Sequence, residues 1–399
     1  MRYTGATSLN NPLFQSQTKN YSRFGLRANP FPYAGVPDDE PKIYVGQDEV
    51  LLTINSVLST TILTGRANHL ILTGSYGNGK SHTLKYIHSQ ISAQSTTYET
   101  RPCIGYVAQP GETFLDIYRD FVYDLGSDFI QRRAQEYIGK VAVDLVEQGV
   151  IEGPIDPTNG WKSIENGSIL LSEVVPHAFT RLSKHVRFPD FARAFINMAY
   201  EENSLTSWEW LSGEPIEYTR RREMSLTSNI DKRHAPRAFS ALKKSLELLG
   251  YAPVIMLVDE FEHIENLQAR TKQDVLNSFR HLIDMNPTNF SLIIACAPEV
   301  WEKMVSEYHA FSERIGKEVN LKPLTAETVK ILIVAYLNRE RTTPARTIEP
   351  FTDESIEQIF RSGNGNTRRI ITLCGQAMDL FASLECETID STVLQRVVR

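Results

Sequence analysis

Short apolar runs alternate with longer amphipathic stretches along most of this 399-residue chain. Continuous apolar runs predict strands buried on both faces, whereas apolar positions spaced three and four residues apart predict helices. Helices are expected between the strands, for example at residues 114–125 and 272–284. Strands separated by helices predict an α/β fold with a parallel sheet and right-handed crossovers. The strands are expected at residues 69–73, 103–107, 254–258, 291–297 and 318–321.

Three segments depart from this alternation. Residues 126–238 are mostly amphipathic with helical spacing, and turn-forming pairs such as Gly153-Pro154 interrupt them. After Leu324 the pattern predicts helices to the end of the chain. Residues 1–20 are polar and predict a flexible arm. The next segment carries Phe24 and Phe31, and we expect it to pack its aromatic side chains onto the main domain.

The composition, with 41% hydrophobic and 23% charged residues, is ordinary for a soluble globular protein. A net charge of -6 argues against a surface broadly built for nucleic acid, although it leaves room for a local basic strip. Neither a signal peptide nor a membrane-spanning run is evident, so a cytoplasmic protein is expected. No disulfide framework or zinc site is predicted from the four widely spaced cysteines, Cys103, Cys296, Cys374 and Cys386.

Residues 74–81, Gly-Ser-Tyr-Gly-Asn-Gly-Lys-Ser, match the P-loop motif G-x-x-x-x-G-K-[ST] in full. A predicted strand precedes them and a predicted helix follows, which is the geometry that directs backbone N–H groups and a positive helix end at phosphates. On this interpretation Lys80 contacts the β- and γ-phosphates of ATP, and the Ser81 hydroxyl binds Mg²⁺. The nucleotide-binding residues expected here, with His82 included by position alone, are Gly74, Tyr76, Gly77, Asn78, Gly79, Lys80, Ser81 and His82.

A second motif, Val254-Ile255-Met256-Leu257-Val258-Asp259-Glu260, predicts a buried strand that ends in two acids. The carboxyl ends of such strands face the ligand in open α/β sheets. Asp259 is expected to bind Mg²⁺ together with Ser81, and Glu260 to polarise the attacking water. Because neighbouring residues of a strand point to opposite sides, the two carboxylates are expected to take these separate roles.

These elements together resemble the AAA+ ATPases of the origin-recognition, helicase-loader and transposition-regulator type. Val45-Gly46-Gln47-Asp48-Glu49 is similar to the segment that wraps adenine, which adds Val45 to the nucleotide-binding residues. Leu321-Lys322-Pro323-Leu324-Thr325 resembles the start of the helical lid. The resemblance implies an aromatic-rich lead-in at 1–40, a nucleotide-binding domain at 41–322 with a helical insert at 126–238, and a lid at 323–399.

A narrower resemblance is to the ATP-binding proteins of BREX-type phage defence. Three short segments carry it: the YGNGKSH form of the P-loop, Trp210-Leu211-Ser212-Gly213-Glu214, and Gly250-Tyr251 ahead of Val258-Asp259-Glu260-Phe261-Glu262. The resemblance implies an ATP-dependent role in antiviral defence.

Two arginines have counterparts in the AAA+ family. Arg368, in the segment Gly363–Arg369, resembles the second sensor, which reaches the γ-phosphate when the lid closes. Arg314 resembles the arginine finger given to a neighbouring subunit, which implies a homo-oligomer or a partner AAA+ subunit. The structural alternative for Arg368 is an arginine on a helix face that makes a surface ion pair. For Arg314 it is an exposed loop arginine. The first sensor departs from the family, because Cys296 and Ala297 replace a polar residue, and slow hydrolysis is therefore expected.

The most basic stretch of the chain lies at residues 220–244 and can follow the phosphate backbone of double-stranded DNA. The expected contacts are Arg220, Arg221, Arg222, Lys232, Arg233 and Arg237. The chain is thus expected to be an ATPase that couples nucleotide state to assembly and to action on DNA or a DNA-associated partner. Two alternatives stay open: a slow ATP-dependent switch that recruits a protein effector without DNA, and a DNA-loading adaptor.

Overall fold

The structure is a computed structural model that describes residues 21–32, 40–94, 101–384 and 386–397. Within these ranges the chain forms two compact units. The smaller unit takes the described parts of residues 1–38, 43–46 and 323–399, and the larger unit takes those of 39–42 and 47–322. Residues 1–20, predicted to be a flexible arm, lie outside the described ranges.

The larger unit is built on a five-stranded sheet with the order β2-β3-β4-β1-β5. Every pair of neighbouring strands is parallel. The interior strands β1, β3 and β4 are almost completely buried, as their continuous apolar runs predict. The predicted α/β class, the parallel sheet and all five predicted strands are confirmed: β1 (Asn68–Gly74), β2 (Cys103–Val107), β3 (Val254–Val258), β4 (Phe290–Cys296) and β5 (Lys317–Leu321).

Helices cover this sheet and connect its strands. One core, which includes Leu70 and Ile293, lies under α1 and α2, and a second, larger core joins the other face to the helices between β2 and β3. The helices outside the β2–β3 connection are α1 (Asp48–Thr64), α2 (Lys80–Gln94), α11 (Ala269–Met285), α12 (Pro298–Glu307) and α13 (His309–Ser312).

The long connection between β2 and β3, which lies within the described residues, contains eight helices. Its helices share one apolar core with the sheet, and Trp210 is fully buried there, donating from its indole nitrogen to the Ser228 carbonyl at 2.8 Å. These helices are α3 (Phe114–Leu125), α4 (Ser127–Glu147), α5 (Gly160–Glu165), α6 (Leu171–Val186), α7 (Pro189–Asn197), α8 (Glu201–Leu211), α9 (Tyr218–Glu223) and α10 (Ala235–Leu248).

The smaller unit has its own apolar core, formed by α14 (Ala326–Glu340), α15 (Asp353–Gly363), α16 (Thr367–Ser383) and α17 (Ser391–Val397). The aromatic lead-in packs here. The Phe24 ring lies 4.3 Å from the Phe381 ring, and the Phe31 ring lies 5.3 Å from the Tyr336 ring. The expectation that these aromatic side chains pack onto the main domain is therefore wrong, because the apolar faces of α14 and α16 bury them instead.

Across the described residues, no helix combines the length and the apolar character that a bilayer crossing needs.

Candidate nucleotide-binding site

The P-loop joins the carboxyl end of β1 to the first turn of α2, which begins at Lys80. Gly77 and Gly79 have φ angles of 80° and 97°, a region that side chains with a Cβ rarely enter. The Asn78 backbone N–H donates to the Ser75 carbonyl at 3.1 Å and closes the turn. The loop therefore places the first N–H groups of α2, and the positive end of its dipole, at the carboxyl edge of the sheet.

Lys80 is folded back along this loop and is only 8% exposed. Its Nζ donates to the Gly74 carbonyl at 2.7 Å and lies 3.8 Å from Oε1 of Glu262. The ammonium group is thus held at the rim of the loop, where a phosphate would meet it.

Asp259 and Glu260 follow β3, which ends at Val258. Asp259 is 1% exposed, and its Oδ1 accepts from the Glu260 N–H at 2.8 Å. Glu260 has a φ of 46°, a left-handed conformation that is uncommon outside glycine and typical of functional sites. The expectation that strand alternation separates the two carboxylates is wrong, because both acids lie beyond β3 and the left-handed turn sets their directions. The half-exposed Glu260 carboxylate lies 3.2 Å from Nε2 of His263.

Tyr106, on β2, binds the other oxygen of Asp259. Its hydroxyl donates to Oδ2 of Asp259 at 2.9 Å. Burial, followed by the Asp259 charge, raises the pKa of Tyr106 well above its usual range, so the hydroxyl stays protonated and acts as the donor. The Tyr106 N–H is itself held at 2.9 Å by Asp124 of α3. Asp259 therefore has a fixed orientation that depends on the strand beside it.

Replacing Tyr106 with phenylalanine is expected to destabilise the protein by about 1.5–3 kcal/mol, the usual contribution of a hydrogen bond to a charged group. The measurement is urea unfolding. Tyr118→Phe is the control, because that buried hydroxyl donates to a neutral group, the Leu211 carbonyl, at 2.6 Å. A smaller loss, about 0.5–1.5 kcal/mol, is expected for the control. Equal losses in the two variants would contradict a special role for the Asp259 contact.

The first-sensor position lies beside the P-loop strand, since Cys296 pairs with Thr73 in the β1–β4 register. The Cys296 side chain is fully buried. Burial raises the pKa of its thiol to about 12, and the Glu262 carboxylate acts in the same direction. A buried neutral thiol is a weak hydrogen-bond donor, so this strand end offers little to orient a water molecule.

Arg314 is bound within its own chain. Its Nε and one terminal nitrogen donate to the two Asp284 oxygens at 2.7 and 3.1 Å, and the other terminal nitrogen donates to the Ala310 carbonyl at 2.6 Å. The bond to Asp284 also raises the pKa of Arg314. Its role as an arginine finger stays a prediction, and a finger would first have to leave Asp284.

Val45 and Arg368 belong to the smaller unit. Val45 packs against the core of that unit, and Gly46 follows it with a φ of 81°, where a Cβ would stand 2.0 Å from Thr328. Arg368 lies in the first turn of α16, which Asn366 caps by accepting from the Arg369 N–H. Their roles at the nucleotide stay predictions.

The basic strip is divided by local partners. Arg220 is bound by Glu209 at 2.5 Å and by Thr206 at 2.7 Å, and Arg237 stacks over the Phe188 ring at 4.7 Å. Arg222 and Lys232 are exposed, as is Arg233 with 82% of its side chain accessible. Arg221 lies over the Tyr218 ring at 5.7 Å. Arg237 is exposed as well, and the Asp231 carboxylate lies 3.2 Å from Arg233. The solvent-facing charge of the strip is thus carried by Arg222, Lys232, Arg233 and Arg237.

Two contacts at this site were not predicted from the sequence. The Tyr106 contact depends on the pairing of β2 with β3, and no local motif marks it. For Glu262 the sequence carries no signal of a role at the P-loop, and only the fold brings it to Lys80.

Comparisons with known proteins agree with this geometry. A family model described as the BREX system ATP-binding protein BrxC/D matches residues 32–342. The uncharacterized HTH-type transcriptional regulator MJ0774 of Methanocaldococcus jannaschii is 23% identical over 144 residues, which cover 36% of this chain and 34% of that protein. This chain therefore spans about a third of that curated relative.

Solved structures of similar fold include those of origin-recognition proteins. The Aeropyrum pernix ORC2 protein, in its ADPNP and ADP complexes, superposes with a TM-score of 0.50 at 11% identity, over 92% of this chain and 72% of that one. The Aeropyrum pernix ORC1 protein in complex with DNA gives a TM-score of 0.46 at 12% identity, over 91% of this chain and 67% of that one.

The ORC2 similarity supports the AAA+ P-loop fold predicted from the sequence. The family model extends over most of the described chain and includes the P-loop and the Asp259-Glu260 pair. Both predicted resemblances are confirmed. The chain has the AAA+ P-loop fold, and it belongs to the BREX system ATP-binding protein BrxC/D family.

Proposed function

We propose that this protein hydrolyses ATP and couples its nucleotide state to oligomer assembly and to action on DNA or a DNA-associated partner in phage defence. One observation carries the proposal. The parallel strands β1 and β3 bring Lys80 and the Asp259-Glu260 pair to the same side of the sheet, at the carboxyl ends of the strands. In this proposal residues 41–322 are the nucleotide-binding domain with its insert at 126–238, residues 323–399 are the lid, and residues 1–40 are the lead-in.

Hydrolysis at this site needs positioning and charge stabilisation rather than covalent chemistry. Lys80 and the N–H groups of the loop bind the phosphates, and Glu260 takes up a proton from the attacking water. His263, 3.2 Å from Glu260, holds that carboxylate at the surface of the turn.

The polar groups of the site fit Mg²⁺. Among the described residues no group of three or more His, Cys, Asp or Glu side chains could hold a metal ion. Mg²⁺ is usually bound by one or two protein groups, by phosphates and by water rather than by a protein cage, and a carboxylate and a hydroxyl are oxygen ligands of the kind it prefers. Asp259 and Ser81 are the groups proposed to hold it, and bound Mg²⁺ would neutralise charge on the phosphates.

A slow ATP-dependent switch that recruits a protein effector without DNA is the second candidate. The buried Cys296 thiol favours it, because the strand end lacks a polar side chain to orient water.

Light scattering on the Glu260→Gln variant with ATP, with and without double-stranded DNA, separates the two candidate functions. Assembly that needs DNA supports the first candidate, and ATP-driven assembly indifferent to DNA supports the switch. A monomer under all conditions would contradict both.

If DNA is bound, the exposed part of the basic strip is proposed to contact it. Reversing the charge at Arg222, Lys232 and Arg233 is expected to weaken duplex binding at least ~10-fold and to reduce the salt slope by about 0.9 per lost phosphate contact. Fluorescence anisotropy over a range of salt concentrations measures both quantities.

The matched control reverses three exposed basic residues from elsewhere, Lys317, Arg346 and Arg361. An equal loss in both variants would mean that only the net charge matters. Arg220 is left unchanged, because its ion pair with Glu209 supports the local fold.

A further inference from the structure

We infer that the Glu262 carboxylate competes with the nucleotide phosphates for the Lys80 ammonium group. This competition sets how strongly the site prefers ATP over ADP. The inference rests on the proposed phosphate-binding role of Lys80 and deepens it. It assigns a specificity role to a residue that the P-loop and the Asp259-Glu260 motif do not include.

The first observation is the contact itself. Oε1 of Glu262 lies 3.8 Å from Nζ of Lys80, and the Lys80 side chain is 9% exposed. An ammonium this deeply buried has few water molecules to replace a lost anion, so a nearby carboxylate interacts with it more strongly than it would in bulk water. Phosphate oxygens that approach Lys80 must compete with this carboxylate or displace it.

The second observation is an unmatched oxygen. Oε2 of Glu262 is buried and has no hydrogen-bond partner among the residues that the structure describes. A buried carboxylate oxygen without a donor is costly, because it has lost its water without gaining a partner. Among the contacts that the structure describes, the ion pair with Lys80 holds this carboxylate, and Oε2 adds no hydrogen bond that a phosphate would have to break.

Neighbouring residues fix the position of Glu262. It lies in a short 3-10 helix, Phe261–Asn266, and the side chains of Phe261 and Ile264 are fully buried. Phe261 stacks on Phe311 with ring centroids 6.0 Å apart. Glu262 also raises the pKa of the Cys296 thiol, after burial, while Lys80 lowers it.

The expected preference follows from charge. ATP carries one more negative charge than ADP, and its γ-phosphate is one of the two groups that a P-loop lysine contacts. A carboxylate beside that lysine therefore opposes ATP more than ADP. Removing its charge is therefore expected to tighten ATP binding about tenfold, with a smaller change for ADP.

Titration calorimetry with ATP and with ADP, each in Mg²⁺, on the full chain tests this inference. The variants are Glu262→Gln, which removes only the charge, and Glu262→Ala, which removes the side chain. Glu265→Gln is the control, because Glu265 lies on the same 3-10 helix but is bound by Lys272 at 2.8 Å and by Lys303. The control is expected to leave the ratio of ATP to ADP affinity unchanged.

Tighter ATP binding in both Glu262 variants, with a raised ATP to ADP ratio, supports the inference. Unchanged or weaker ATP binding in both overturns it while leaving the nucleotide site intact. A loss of hydrolysis with unchanged affinities also overturns it and makes Glu262 a catalytic residue instead. If the wild-type chain binds neither nucleotide, the proposed phosphate-binding role of Lys80 fails, and this inference fails with it.

Discussion

Lys80→Ala is expected to weaken ATP binding by at least ~100-fold, because charge-assisted hydrogen bonds contribute about 1.5–3 kcal/mol each and the lysine faces two phosphates. The structure adds a second reason. Glu262 lies 3.8 Å from Lys80, so the alanine variant leaves a partly buried carboxylate without its nearest cation. That carboxylate then repels the phosphates that Lys80 would have attracted. Titration calorimetry with ATP in Mg²⁺ measures the loss.

The control is Lys85→Ala, which removes the same charge from the same helix beyond its first turn. Wild-type affinity is expected for this variant. ATP binding within a few fold of wild type in Lys80→Ala would contradict the proposed role of Lys80. The double variant Lys80→Ala, Glu262→Gln separates the two contributions. It is expected to bind ATP more tightly than Lys80→Ala alone, since it removes the remaining repulsion.

The sequence was most informative where local chemistry decides the structure. The apolar runs that became β1, β3 and β4 are buried on both faces of the sheet, and burial requires that composition in any parallel sheet. The P-loop could also be predicted, because glycines at positive φ and a lysine at the helix start are needed wherever a backbone wraps a phosphate.

Other features depend on contacts between distant segments. The direction of Glu260 is set by a left-handed turn after β3, and the strand pattern carries no signal for it. Tyr106 reaches Asp259 because β2 lies beside β3, although 153 positions separate the two residues. The basic strip appeared continuous in the sequence, but Glu209 of α8 pairs with Arg220, and the Phe188 ring, which precedes α7, lies under Arg237. Charge counted along a chain therefore overstates the charge that faces solvent.

Glu260→Gln is expected to lower the rate of ATP hydrolysis by about 100- to 10,000-fold, the usual contribution of a general base, while ATP affinity stays within a few fold of wild type. Glutamine has nearly the same size and keeps a carbonyl oxygen near His263, but it cannot take up a proton. The left-handed backbone at residue 260 places the same demand on both side chains, so the fold is expected to be retained. Steady-state phosphate release and calorimetry with ATP measure the two quantities.

The control is Glu302→Gln, the same change at an exposed position on α12, for which wild-type hydrolysis is expected. His263→Ala gives a further distinction, because it removes the neighbour of Glu260 and keeps the carboxylate. A base that His263 restrains would hydrolyse at least as fast in that variant, whereas a base that His263 positions would be slower. Hydrolysis by Glu260→Gln at the wild-type rate would remove Glu260 from the mechanism. The site would then have to draw its base from another residue.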